Sequence, residues 1–213
     1  MVRGAETGVR INAEWVERFR YFDRLVARVA DVEGAIVECG VAGGQSFAML
    51  ASLLRDRGQE RRLWGFDTFA GLPAPGVEDL GSEASVARAG MFGWAREGAV
   101  IAELRSHGFD DQWIERQVRL VKGLFDETLA GYSGGPIALL HVDADLYESY
   151  RTALGTLWPV VTQGGIVALD EYEDEETWPG AKRAVDEFLR GVPRGSADLV
   201  HDDEIGKWYL IKR

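Results

Sequence analysis

Two apolar runs of this chain end in pairs of acids. "LLHVDADLYES", beginning at Leu139, leads into Asp143 and Asp145, and "GGIVALDEY", beginning at Gly164, leads into Asp170 and Glu171. Each run has the makeup of a strand buried on both faces. A carboxylate leaving such a strand is costly unless a positive partner meets it. A helix-length segment, "ESYRTALGTLWPVV" (148–161), separates the runs, so they form a βαβ unit with strands side by side, about 4.8 Å apart. The carboxylates of Asp143 and Asp170 then converge on one point. Glu171 adds a third oxygen donor, and Asp145 can reach the same area. An all-oxygen set without His or Cys selects a hard cation, Mg²⁺, Mn²⁺ or Ca²⁺, over zinc. The competing reading is helix capping, since Asp145 and Glu148 stand just before a helix, where negative charge is favoured. His141 alternates with Asp143 on the same run and, between apolar neighbours, reads as a satisfied core histidine rather than a proton acceptor.

A second cluster lies between "AIVECGV" (35–41) and the helical "SFAMLASLLRDRG" (46–58). The loop "VECGVAGGQS" supplies Glu38, Gly40, Gly43, Gly44 and Ser46. Glycines there let backbone approach a ligand, and the helix start offers free N–H groups. The spacing is not the dinucleotide pattern G-x-G-x-x-G. Glu38, just ahead of the first glycine, repels a pyrophosphate and attracts an ammonium or sulfonium. Asp67, ending "RRLWGFDTF" (61–69), can accept from both hydroxyls of a ribose. Together they suit a nucleoside bearing a charged amino acid, S-adenosylmethionine (SAM). A nicotinamide oxidoreductase is the rival, because Gly44 to Asp67 is near the spacing of a ribose-binding acid. Hydride transfer, however, has no use for the acids at 143 and 170.

The elements that must position these residues alternate. Residues 12–32 predict an amphipathic helix capped by Asn12, with Trp15, Phe19, Phe22, Val26 and Val29 on one face. Strands follow at 35–41, 61–69, 117–125, 136–144 and 164–172, with helices at 46–58, 148–161 and 179–191. Residues 71–112, rich in Gly, Pro and Ala, read as a lid-like insertion with one or two short helices, in which Met91, Phe92, Trp94 and His107 could cover a site. The tail, "ADLVHDD" and "IGKWYLIKR", predicts two strands joined too tightly for a crossover, hence antiparallel. The whole is an α/β chain with a mostly parallel sheet and helices on both faces. No linker divides residues 1–213, so a single domain is expected.

The net charge of −11 without a Lys/Arg cluster excludes a phosphate-backbone partner. No apolar run reaches the roughly 20 residues of a membrane span, and the opening "MVRGAETGVRINAEW" lacks the apolar core of an export signal. The lone Cys39 permits no internal disulfide, which fits a reduced cytoplasmic setting.

"VECGVAGGQS", "GFDTFAGLP", "VKGLFDETL", "HVDADLYES" and "GGIVALDEY", in this order over about residues 35–190, resemble the macrocin O-methyltransferase (TylF) family. The resemblance implies the class I methyltransferase fold, a seven-stranded sheet with an antiparallel final strand. It implies a SAM-dependent, Mg²⁺-dependent O-methyltransferase acting on a hydroxyl of a small-molecule sugar or natural product, with a metal-independent enzyme as the alternative. It further implies Asp143, Asp170 and Glu171 as metal ligands, Asp145 as general base, and Glu38, Gly40, Ser46 and Asp67 as SAM contacts. Many members carry two aspartates where this chain has Asp170–Glu171. A homodimer or larger homo-oligomer is expected by analogy and from the prevalence of symmetric assemblies.

Overall fold

The computed structural model describes residues 12–213; the rest of the opening stretch read for an export signal lies outside the described residues. Seven strands form one sheet: β1 (Ala35–Cys39), β2 (Leu63–Asp67), β3 (Val118–Lys122), β4 (Ile137–Val142), β5 (Val161–Leu169), β6 (Ala197–Asp202) and β7 (Lys207–Lys212). Their order is β3-β2-β1-β4-β5-β7-β6. β1 to β5 pair parallel, and β7 lies antiparallel between β5 and β6. The order reverses between β1 and β4. A ligand crevice is expected there, outside the carboxyl ends of the strands.

Every residue of β1 and β4 is buried, as continuous apolar runs require when helices cover both faces. One face carries α1 (Ala13–Arg28), α2 (Gln45–Asp56), α3 (Glu97–Ser106) and α4 (Asp111–Gln117); the other carries α6 (Tyr147–Leu157) and α7 (Pro179–Gly191). A single turn, α5 (Phe125–Thr128), follows β3. β5 begins three residues before the apolar run suggests, because a register shift opposite Ile137–Leu139 takes up the extra residues Thr162 to Gly165.

α1 departs from the amphipathic expectation in its first half. Tyr21, Phe22, Leu25 and Val26 are buried, yet Trp15 and Phe19 are 49% and 37% exposed. Only the second half packs on the sheet. There the Tyr21 hydroxyl donates to the Trp208 carbonyl (3.2 Å) and Arg24 pairs with Asp202 (3.0 Å). The insertion contains a 3-10 turn (Val77–Leu80) and α3, and runs on into α4. It is tied back to the sheet's end where Leu72 exchanges backbone hydrogen bonds with Met91 and Gly90, both 2.8 Å.

Candidate functional site

Register brings the two acid-bearing strand ends level. Val142 pairs with Leu169, so Asp143 and Asp170, one residue on, emerge side by side. The Asp143 amide donates to the Cys39 carbonyl (2.9 Å) and the Asp170 amide to the Val142 carbonyl (3.0 Å). The positive partner these carboxylates need comes from the first helix. Arg18 donates from Nη1 to Asp143 Oδ2 (3.0 Å) and from Nη2 to Asp170 Oδ2 (2.8 Å). Two further cations approach Asp170 Oδ1, His141 Nε2 at 3.6 Å and Lys207 Nζ at 3.8 Å. Burial alone would raise the Asp170 carboxyl; His141, Arg18 and Lys207 outweigh it and hold the group well below its usual range. Burial pulls the Arg18 guanidinium down, and Asp170 and Asp143 more than restore it.

His141 is a core histidine whose Nδ1 is hydrogen-bonded to an acid and whose Nε2 faces Asp170 without a hydrogen bond. It is fully buried and edge-on to Phe22. Its Nδ1 lies 2.8 Å from Glu38 Oε1, in keeping with the direct register pairing of Glu38 and His141. Desolvation lowers its pKa, but Asp170 and Glu38 push it up to about 9. His107 ends α3, exposed, with its ring on the Glu103 carbonyl, and does not line the cavity described below.

Glu171 and Asp145 behave differently from Asp143 and Asp170. Glu171 is buried and turned onto the Tyr150 hydroxyl (2.5 Å), whose single proton also has the Val142 carbonyl within reach at 2.8 Å. Burial first, then Asp143, Asp170 and Asp145, raise its pKa well above the carboxylate range. Among the described residues, the three side chains whose ligand atoms lie within 4.8 Å of one another are His141, Asp143 and Asp170, without Glu171. Asp145 sits at φ +60°, in the left-handed region that a non-glycine residue enters at a cost. Burial, with Asp143, Asp170 and Asp67 nearby, pushes its pKa up to about 8.

A cavity of about 300 Å³ opens at the carboxyl ends of β1, β2 and β4. Gly40, Ser46 and Asp67 line one side, and Asp143, Asp145 and Ser149 another. Gly40 is demanded by packing: at φ +91°, a Cβ would lie 1.7 Å from the Asp143 carbonyl oxygen. Asp67 holds the glycine loop, its Oδ2 accepting from the Val41 and Ala42 amides (both 2.8 Å) and Oδ1 from the Phe69 amide (2.6 Å). The Thr68 hydroxyl lies 3.5 Å from Oδ1 but gives its single proton to the Gly71 carbonyl at 2.7 Å, so with about four acceptor positions on an ionised carboxylate Oδ1 keeps capacity for one more donor. Glu38, Gly43 and Gly44, expected to contact a cofactor, do not line the cavity. Glu38 is completely buried behind the loop, Gly44 (φ +93°) packs on Val100, and Gly43 lies under Trp94, whose ring carbons would sit 2.9 Å from a Cβ there. From the insertion, Phe92, Trp94 and Ala95 line the cavity, and Met91 contributes its backbone carbonyl to Leu72.

Asp143 and Asp170 fit a hard cation. Both are carboxylates, and an oxygen of each already bonds a single positive group. Glu171, next to Asp170, lies instead on the Tyr150 hydroxyl.

A seven-stranded sheet in this order, with its cavity at the switch point, defines the class I methyltransferase fold. The solved methyltransferases CalS11 and NovP share it, at 29% and 28% identity with TM-scores of 0.79 and 0.76. The matches cover 94% and 93% of this chain and 80% and 81% of theirs. Residues 15–210 match the macrocin-O-methyltransferase (TylF) family, and the chain belongs to that family. It is 34% identical over 145 residues (66% of this chain) to the 8-demethyl-8-(2,3-dimethoxy-alpha-L-rhamnosyl)-tetracenomycin-C 4'-O-methyltransferase of Streptomyces olivaceus. It is 32% identical over 163 residues (74% of this chain) to the demethyldecarbamoylnovobiocin O-methyltransferase of Streptomyces niveus. The alignments span 54% and 59% of those two relatives. No described helix is long and apolar enough to cross a membrane.

Proposed function

We propose that this chain transfers a methyl group from SAM to a hydroxyl of a sugar or sugar-bearing natural product, with Asp143 and Asp170 able to hold a divalent cation. The observation that carries the reading is a shared cavity. Gly40, Ser46 and Asp67, suited to the donor, and Asp143 and Asp145, suited to the acceptor, line the same space, and Asp170 is joined to Asp143 through Arg18. The printed names of relatives support the acceptor class. One acts at a 4'-hydroxyl of a rhamnosyl compound, and CalS11 is described as a TDP-rhamnose 3'-O-methyltransferase.

In the transfer the methyl–sulfur bond breaks as the oxygen–carbon bond forms. The sulfonium leaves as the neutral thioether of S-adenosylhomocysteine, and the hydroxyl proton must go to a base. The chain has to align the two reactants and exclude water. Gly40 lets the loop lie against β4, Asp67 fixes the loop amides and offers Oδ1 to a ribose hydroxyl, and Trp94 roofs the loop. Asp145, lining the cavity with a pKa of about 8, is the proton acceptor. Glu38 and His141 act from behind the loop, tying β1 to the Asp170 end of β4 and β5. A divalent ion bound by Asp143 and Asp170 would lower the pKa of an acceptor hydroxyl. Transfer without a metal is a second reading, favoured by the Arg18 guanidinium already seated on both carboxylates. A homo-oligomer and a cytoplasmic setting belong to the same proposal, the latter supported by the buried thiol of Cys39.

Calorimetry with S-adenosylhomocysteine and with NAD tests the donor, and turnover of rhamnosyl acceptors with and without chelation tests the rest. Binding of the thioether nucleoside and methylation of an acceptor are expected. Binding of NAD alone would overturn the reading.

A further inference from the structure

We infer that Arg18 and a divalent cation are alternative occupants of the Asp143–Asp170 pair, and that the first half of α1 is the element that exchanges one for the other. The guanidinium takes one oxygen from each carboxylate, at 3.0 and 2.8 Å. It thereby bridges two strand ends as a bound ion would. A hard cation needs carboxylate oxygens at about 2.0–2.6 Å. With the guanidinium in hydrogen-bond contact with those same oxygens, two positive charges would share one small space, so the occupants exclude each other.

α1 is built for such an exchange. Its second half is fixed by Tyr21, Phe22, Leu25 and Val26 in the core and by the Tyr21–Trp208 and Arg24–Asp202 contacts. Its first half has no buried residue, and Arg18 there is only about a quarter exposed because it reaches down to the two acids. A segment with few buried apolar contacts opens at low cost while the core stays closed. Glu14 and Trp15, on the same half-helix, line the cavity wall. Release of Arg18 therefore also moves part of the wall against which an acceptor would pack. The inference deepens the methyltransferase reading and depends on it only for the sense of a cation beside the acceptor.

The test is a Mn²⁺ titration, followed by the electron paramagnetic resonance signal of the free ion. It compares the wild-type chain, Arg18→Gln, Arg18→Lys and the double variant Arg18→Gln/Asp143→Asn. Arg18→Gln is expected to bind Mn²⁺ at least ten-fold more tightly than wild type. Arg18→Lys keeps a charge without the two-pronged fork and falls between, which preserves the comparison should the glutamine variant fold poorly. The double variant loses the gain. In the wild-type chain, Mg²⁺ should also speed hydrogen exchange of amides in residues 13–20 and leave residues 21–28 unchanged. Equal Mn²⁺ affinity in wild type and Arg18→Gln, or binding by neither, would overturn the inference. Calorimetry with S-adenosylhomocysteine on the same samples reports the donor site independently, so the two readings fail separately.

Discussion

Replacement of Gly40 by alanine tests the geometry on which the site stands. The added Cβ would lie 1.7 Å from the Asp143 carbonyl oxygen and 2.7 Å from its carbon. Carbon–oxygen contacts settle at about 3.3–3.6 Å, so the two backbones would have to part by roughly 1.6 Å. Both contacting atoms are main chain, on strand ends fixed by the Asp143–Cys39 and Asp170–Val142 amide bonds, and no side chain can swing aside. Overpacking of this kind costs about 1–3 kcal/mol, and holding alanine at the φ of +91° adds about 1–3 kcal/mol. The expected loss is about 2–6 kcal/mol, a large part of the stability of a domain. Gly58→Ala is the control, because Gly58 also has positive φ (+63°) but nothing within 4 Å of a Cβ. Urea unfolding of both variants isolates the clash as their difference. S-adenosylhomocysteine binding of Gly40→Ala, measured where the variant is still folded, should fall with it. A Gly40→Ala chain no less stable than Gly58→Ala, with unchanged binding, would refute the close approach of β1 and β4.

Three further perturbations probe the supports of the site. Asp67→Asn leaves one carbonyl oxygen where a carboxylate served the amides of Val41, Ala42 and Phe69; S-adenosylhomocysteine affinity should drop about ten-fold by calorimetry, the loss of roughly one charge-assisted bond. His141→Leu strands Glu38 in the interior without its cation, at a cost of about 3–5 kcal/mol in urea unfolding, and adding Glu38→Gln should recover part of it. Asp79, 2% exposed, caps the start of α6 from a distance, accepting from the amides of Tyr147 (2.7 Å) and Gly76 (2.8 Å). Asp79→Ala should lower stability by about 2–4 kcal/mol and disturb the neighbouring Asp143–Asp145 segment, read as weaker acceptor binding.

The strands and their order of use were legible because burial on both faces writes itself as unbroken apolar runs, and the level ends of β4 and β5 followed from a single crossover. The tail hairpin was legible from its length alone. Other features had no local signal. A glycine loop announces that backbone approaches something, but not which residues face the ligand. Gly43 and Gly44 serve Trp94 and Val100, while Asp67 spends most of its acceptors on the loop itself. The apolar spacing of α1 drew the eye to Trp15 and Phe19, which stay exposed, and away from Arg18, which meets the acids. The requirement for a positive partner could be read at Asp143 and Asp170, but its source could not, because a contact bridging more than a hundred residues leaves no spacing to recognise. Adjacency makes Glu171 a natural partner for Asp170, yet successive residues leaving a strand diverge, and without an ion its carboxyl lies on the Tyr150 hydroxyl.

The gathering of Glu38, Asp143, Asp145, Asp170 and Glu171 at one end of the sheet would be self-defeating if all were charged alike. The structure sorts them by what each can reach. Asp170 and Asp143 reach Arg18, with Lys207 and His141 behind Asp170, and the charge of Asp170 is thereby held. Glu38 reaches His141. Glu171 and Asp145 reach no cation within salt-bridge distance among the described residues, and burial beside their charged neighbours drives both toward the protonated form. Asp145 faces the cavity and Glu171 faces Tyr150, so only Asp145 is placed to exchange a proton with a ligand. The difference between these two groups lies in the direction of the chain after each strand rather than in residue type.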